Sequence, residues 1–313
     1  MALVNKTLFT YQTNDGTEIY ANKWKVENEE TPRAIVQIAH GMAEHIERYN
    51  SFSNELISHN LFVYGNDHRG HGKTGTNSKS FGYFADEHGF EKVVNDMSAL
   101  TNIIKMDYPD IPIILFGHSM GSFLSRRYIQ LHGDRIDGVI LSGTGGDPGL
   151  MGKIGRMIAK REMKKNGPQT PSPLMNKLTF GSYNKGFAPT RTEFDWLSRD
   201  AAEVDKYIED PFCGGVFTAG FFNDLLEGIE IINNPSNIAK IPMNLPIYLL
   251  SGSKDPVGRN TKGVMKTYQA FIKAGIRDVT YKLYDNARHE ILNEINRDEV
   301  AADIIHWISD HIK

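Results

Sequence analysis

The chain has 313 residues, 40% of them apolar and 23% charged, which suits one large α/β domain carrying an insertion and supplies ample material for a core. A net charge of −3 offers no basic surface for a phosphate backbone, so no nucleic-acid partner is expected. The single cysteine, Cys213, excludes an intramolecular disulfide framework and fits a reducing compartment. Met1-Ala2-Leu3-Val4-Asn5-Lys6-Thr7 lacks the basic and then apolar pattern of a secretory leader, and no apolar run is long enough to span a bilayer. A cytoplasmic protein is the expectation.

Residues 7–12 and 18–25 read as strands about the turn Asn14-Asp15-Gly16. Ala34–Ala39 is a buried strand ending at His40-Gly41, a helix is expected over 44–58, and 61–64 is the next strand. Phe90, Val93, Val94, Met97, Leu100, Ile103 and Ile104 share one helical face before Tyr108-Pro109 ends that helix. Residues 113–116 then form a buried strand that runs directly into Gly117-His118-Ser119-Met120-Gly121 and a helix to about His132. This is a G-x-S-x-G turn between strand and helix. The two glycines let the chain turn without Cβ clashes, and the serine hydroxyl is left exposed above the sheet.

Gly138–Ser142 is the next strand, and after it the alternation stops. Residues 147–238 are richer in Pro, Gly, Met, Phe and basic side chains, with helical but no strand patterning. Strand and helix resume at 245–250, 262–274, Val279–Tyr284 and 298–312. The alternation implies a largely parallel sheet covered on both faces. Residues 1–146 and 239–313 are therefore read as the core, and 147–238 as an inserted helical cap.

A nucleophilic serine needs a histidine base and an acid that fixes the imidazole tautomer. Where the serine sits in a turn of this kind, the acid and then the histidine follow it in the chain. Of the three histidines beyond 238, His306 lies within an amphipathic helix and His311 lies near the end of the chain. His289 follows a strand, at the sheet edge where ligands meet open α/β folds. Asp255, just beyond the strand 245–250, is the first choice of acid, and Asp285 is the second. Oxyanion donors are expected from the backbone N–H of Met120, at a helix start, and from the loop His40-Gly41-Met42, with Met42 preferred.

Together these segments resemble the monoacylglycerol lipase and lysophospholipase-like family of α/β-hydrolases, often labelled serine aminopeptidase-like. The resemblance rests on His40-Gly41-Met42-Ala43-Glu44-His45 with Arg48-Tyr49, Asp67-His68-Arg69-Gly70-His71-Gly72, Gly117 to Gly121, Ser251 to Asp255, and Ala287-Arg288-His289-Glu290-Ile291. It implies an α/β-hydrolase fold with a mostly parallel eight-stranded sheet and an inserted cap. It also implies the triad Ser119, Asp255 and His289, oxyanion donors at Met42 and Met120, and a substrate site with Gly41, Glu44 and Arg48 at its polar end. The implied activity is hydrolysis of single-chain lipid esters without cofactor or metal. Where the eukaryotic monoacylglycerol lipases carry a second histidine three residues after the catalytic one, this chain has Leu292. The run from His289 to Glu294 looks more like the bacterial lysophospholipase-like members.

Other readings are weaker. Gly70-His71-Gly72-Lys73-Thr74 has Asp67 where a phosphate loop needs glycine, and Asp67, His68 and His71 lack a metal-binding spacing, so a structural loop is expected there. In the cap, Met151, Ile154, Met157 and Ile158 form an apolar stripe flanked by Lys and Arg. It reads either as a lid over the pocket or as a transient contact with an anionic lipid surface. Phe212, Phe217, Phe221 and Phe222 either line an acyl pocket or form the cap's own core. A broad short-chain carboxylesterase is the main rival activity; a peptidase, with Glu44, Asp86 and Glu87 binding a free amino terminus, and a non-catalytic binding protein are more distant. The oligomeric state is not readable from the chain.

Overall fold

The computed structural model describes residues 4–26 and 31–312; Met1, Ala2 and Leu3 of the segment read for a leader lie outside the described residues. Eight strands form one sheet in the order β1-β2-β4-β3-β5-β6-β7-β8. They are β1 (Val4–Gln12), β2 (Glu18–Val26), β3 (Ala34–Ala39), β4 (Leu61–Asn66), β5 (Ile113–His118), β6 (Gly138–Ser142), β7 (Ile247–Gly252) and β8 (Val279–Tyr284). β2 runs antiparallel to β1 and β4, and the remaining pairings are parallel. Every residue of β3 to β7 is buried, as strands covered on both faces must be, whereas β2 alternates and the edge strand β8 is half-open.

Helices α1 (Asn50–Ser58), α2 (Gly72–Asn77), α3 (Gly89–Asp107), α4 (Met120–His132), α10 (Lys262–Lys273) and α11 (Arg297–His311) accompany the sheet. The helix expected over 44–58 is divided: a 3-10 turn covers Ile46–Tyr49 before α1 begins. The division has a cause. The Asp67 carboxylate, at the end of β4, accepts a hydrogen bond from the Ile46 N–H at 2.9 Å and pins the start of this segment.

Between β6 and β7 lie α5 (Leu150–Asn166), α6 (Pro173–Phe180), α7 (Ala201–Glu209), α8 (Ala219–Ile232) and α9 (Pro235–Ile238). α8 buries Phe221, Phe222, Leu225 and Ile229. Its Gly228 lies so close to Phe90 of α3 that a Cβ would approach that ring to 2.4 Å, so glycine sets the spacing of the two helices. Arg126 and Gln130 of α4 tie the end of α8 through Asn233 Oδ1 at 2.7 Å and Ile232 O at 2.9 Å. No helix among the described residues is long and apolar enough to cross a membrane. Because the parallel strands run the same way, the ends of β3, β5, β7 and β8 meet along one edge beneath these helices.

Candidate active site

Ser119 sits between β5 and α4 at φ 52° and ψ −118°, a conformation that costs a non-glycine residue about 1–3 kcal/mol. The surroundings hold it there. Its N–H donates to Ser142 O at 2.9 Å, and its own carbonyl accepts from Ser122 Oγ at 2.6 Å. The flanking glycines serve close approach: a Cβ on Gly121 would lie 2.0 Å from Ala39 O, and one on Gly117 would lie 2.4 Å from Ser125 Oγ. The turn can therefore press against the end of β3, which carries the His40-Gly41-Met42 loop. A Cβ on Gly41 would come within 3.2 Å of Ser119 Cβ, so this loop borders the serine directly.

His289 and Asp255 converge from the loops after β8 and β7, with His289 Nδ1 2.9 Å from Asp255 Oδ1. Both side chains are buried. The carboxylate is fixed by Val257 N–H at 2.9 Å and Ser251 Oγ at 3.3 Å. Asp285 is exposed, and its contacts are with Ser253 and Asn286, away from the imidazole. With Nδ1–H donating to Asp255, the Nε2 lone pair of His289 is left free to take a proton.

Burial disfavours the imidazolium, but the Asp255 carboxylate, with Glu290 and Glu44, outweighs it and the His289 pKa lies above its ordinary 6.5. A base must be neutral to act, so kcat/KM for a soluble ester should fall as pH drops through an apparent pKa above 6.5. A pH profile that stays flat to well below that value would contradict the assignment of His289 as base. Burial and the neighbouring His289 charge push His118 down to about 4, so it remains neutral near pH 7 while its ring packs 4.7 Å from that of His289.

Met42 and Met120 line the same cavity as Ser119, and among the described residues neither backbone N–H donates in a turn, loop or cap hydrogen bond. Met120 opens α4, where the helix dipole favours negative charge.

Gly41 and Glu44 line the cavity beside Ser119, while Arg48 lies behind them. Glu44 is already engaged: it accepts from the Gly41 N–H, from Tyr49 OH at 2.9 Å and from Arg48 at 2.7 Å. Arg48 also makes a two-pronged pair with Glu290 at 2.6 and 2.7 Å. These side chains thus brace the loop that carries the Met42 N–H. Against the opposing desolvation, Arg48 holds the Glu290 carboxyl down to about 2.

Two cavities meet at Met42 and Ser119. The larger, about 860 Å³, is walled mainly by apolar side chains including Met151, Ile154 and Ile158 of α5, Met175 and Leu178 of α6, and Phe222, Leu225 and Ile229 of α8. The smaller, about 480 Å³, includes Glu44, His118, Trp196, Tyr207, His289 and Glu290. Phe222 borders the large cavity; Phe217 and Phe221 pack on His71 instead, and Phe212 packs on His45.

Three contributors escaped the sequence reading. The Trp196 ring packs tilted against His289 with centroids 5.1 Å apart, and the Trp196 carbonyl receives the His289 N–H at 3.4 Å. Glu290 anchors Arg48, and His118 backs the imidazole. For Glu290 and His118 the signal was adjacency to His289 and Ser119; Trp196 lay in an irregular stretch that carried none. The Gly70 to Thr74 segment is structural: Asp67 caps the Lys73 N–H at 2.8 Å, and His68 N–H donates to His40 Nε2 at 2.9 Å.

The family described as Hydrolase_4, serine aminopeptidase S33, matches residues 30–296. A monoglyceride lipase of Mus musculus is 28% identical over 308 residues, covering 95% of this chain and 89% of its own. A monoacylglycerol lipase of Mycolicibacterium smegmatis is 27% identical over 303 residues, covering 95% of both chains. Among solved structures, a highly thermostable carboxyl esterase from Bacillus coagulans, in complex with glycerol, superposes with a TM-score of 0.90 at 30% identity over 100% of each chain.

Proposed function

The chain belongs to the Hydrolase_4, serine aminopeptidase S33, family of α/β-hydrolases, and from that premise we propose that it hydrolyses single-chain lipid esters such as monoacylglycerols or lysophospholipids through Ser119, His289 and Asp255. It is a carboxylic ester hydrolase, in keeping with lipase relatives that match nearly its whole length and with an esterase of the same fold.

The arrangement supports a two-step acyl transfer. His289 Nε2 takes the Ser119 proton as Oγ attacks the ester carbonyl, and the Met42 and Met120 N–H groups receive the oxyanion. The imidazolium, held against Asp255, gives its proton to the departing alcohol. Water activated by the same nitrogen then releases the acid from the acyl-enzyme and regenerates Ser119.

The observation that carries the lipid reading is the cavity of about 860 Å³, apolar along most of its wall and open to Ser119 at one end. An acyl chain is assigned to it, and the alcohol portion to the smaller, more polar cavity beside Glu44 and Glu290. A panel of p-nitrophenyl esters of rising acyl length, with monoacylglycerol and lysophosphatidylcholine alongside, tests this. A steep rise in kcat/KM with chain length supports it, whereas a maximum at acetate or butyrate selects the short-chain carboxylesterase instead.

Lipid delivery is assigned to the outer face of α5. Leu150 and Met157 are 72% and 65% exposed, and Lys153, Lys160, Lys164 and Lys165 are exposed beside them. Such a face suits a transient contact with an anionic lipid surface. Leu150→Asp with Met157→Asp should reduce hydrolysis of vesicle-borne substrate by about 10-fold or more, since each apolar side chain kept out of lipid forfeits roughly 1.5–3 kcal/mol. Rates on soluble p-nitrophenyl butyrate should hold; equal loss on both substrates would remove the membrane role.

A further inference from the structure

Among the described residues, one cluster brings three metal-ligating side chains of different kinds together outside the triad. His45, Asp210 and Cys213 offer ligand atoms that all lie within 4.8 Å of one another. We propose that these three residues form a Zn²⁺ site that fastens the segment after the Gly41-Met42 loop to the α7–α8 connection. The reading is independent of substrate and requires no part of the hydrolytic mechanism.

The local fold supports it. Asp210-Pro211-Phe212-Cys213 forms a tight turn in which Cys213 N–H donates to Asp210 O at 3.0 Å, bringing the carboxylate and the thiol to one side. Phe212 N–H donates to Asp210 Oδ1 at 2.8 Å, which orients the carboxylate and leaves Oδ2 toward His45 Nε2 at 2.7 Å. The two segments are held in register by Gly214 N–H to Ala43 O at 3.1 Å and by Tyr207 OH to the same oxygen at 2.9 Å. The ligand set is therefore built on braced backbone rather than on loose surface side chains. His45 is buried, and Asp210 and Cys213 are half-buried.

The donor chemistry selects the ion. One imidazole nitrogen, one carboxylate oxygen and one thiolate sulfur suit zinc, whose bond lengths of about 2.0–2.3 Å place tetrahedral ligand atoms roughly 3.3–3.6 Å apart. Shifts of about 1 Å or less from the present arrangement reach that spacing. Binding replaces the His45–Asp210 hydrogen bond with two coordinate bonds. The imidazole proton resides on Nδ1, the Cys213 thiol proton leaves to solvent, and water completes the fourth position. No sequence motif announces such a site, because His45 and Cys213 are far apart in the chain and only Asp210 and Cys213 are local.

Cobalt(II) and zinc(II) salts serve as probes. The intact chain should bind one ion, and the cobalt form should show a thiolate-to-metal charge-transfer band in the near ultraviolet. Cys213→Ser should abolish that band. Cys213→Ser and His45→Ala should each weaken zinc binding by at least about 100-fold, since even outer-shell changes commonly cost 10–100-fold. Cys213→Ser preserves size at a half-exposed position, so it reports on ligation even if His45→Ala fails to fold. Absence of the band in the intact chain, or zinc affinity unchanged by Cys213→Ser, overturns the proposal and leaves a plain His45–Asp210 hydrogen bond.

Discussion

Ser119→Ala is expected to abolish ester hydrolysis and covalent labelling by a fluorophosphonate probe, with kcat falling by about 10⁶-fold, the scale reached when a triad nucleophile is removed. The reasoning is local. Ser119 holds φ 52° because Ser142 O, Ser122 Oγ and the close contacts of Gly117 and Gly121 leave the chain no other course. Alanine in the same backbone carries the same strain and loses only the hydroxyl. Thermal unfolding should therefore be nearly unchanged while activity disappears, which separates loss of chemistry from loss of fold. Residual turnover would come from the Met42 and Met120 donors acting on bound ester with water as nucleophile. Labelling retained in this variant would mean that another side chain attacks, and the assignment of Ser119 would fail.

What could be read from the chain, and what could not, divides along physical lines. β3 to β7 were legible because strands covered on both faces must be continuously apolar, and each is buried throughout. Ser119 was legible because its turn needs small residues at fixed offsets. Asp255 and His289 were legible because parallel strands deliver their following loops to one edge, and the fold brings the two into a 2.9 Å contact. The rest depends on meetings between distant segments. Arg48 pairs with Glu290 across 242 residues, and His45 with Asp210 across 165. Neither pairing leaves a period or spacing in the sequence. Trp196 reaches His289 from an irregular stretch whose path is set by its contacts rather than by helical or strand propensity. The 3-10 turn at Ile46–Tyr49 likewise answers to Asp67, a residue from another element, and a purely local reading extends the helix through it.

Asp255→Asn should cost about 10⁴-fold in kcat, the effect of presenting the catalytic histidine with the wrong partner. Asp255 is fully buried; its Oδ1 faces both His289 Nδ1 and the Val257 N–H, and its Oδ2 accepts from Ser251 Oγ. Asparagine in that frame either keeps its oxygen at the Oδ1 position, without the charge that stabilises the imidazolium, or places its NH₂ there, facing His289 Nδ1. In the second orientation the imidazole must accept at Nδ1 and carry its proton on Nε2, where it cannot receive the proton of Ser119; in the first it loses the carboxylate charge that supports the imidazolium. The charge effect runs in a fixed direction as well. Burial lowers the His289 pKa, and the Asp255 carboxylate is the leading influence that raises it. Its removal therefore moves the acid limb of any residual activity to lower pH. Asp285→Asn is the matched control: an exposed carboxylate with local partners, whose loss should change stability by no more than about 0.5 kcal/mol and leave kcat close to that of the unaltered chain. Two outcomes would reverse the assignment. Either Asp285→Asn proves the damaging substitution, or Asp255→Asn lowers activity with its acid limb unmoved.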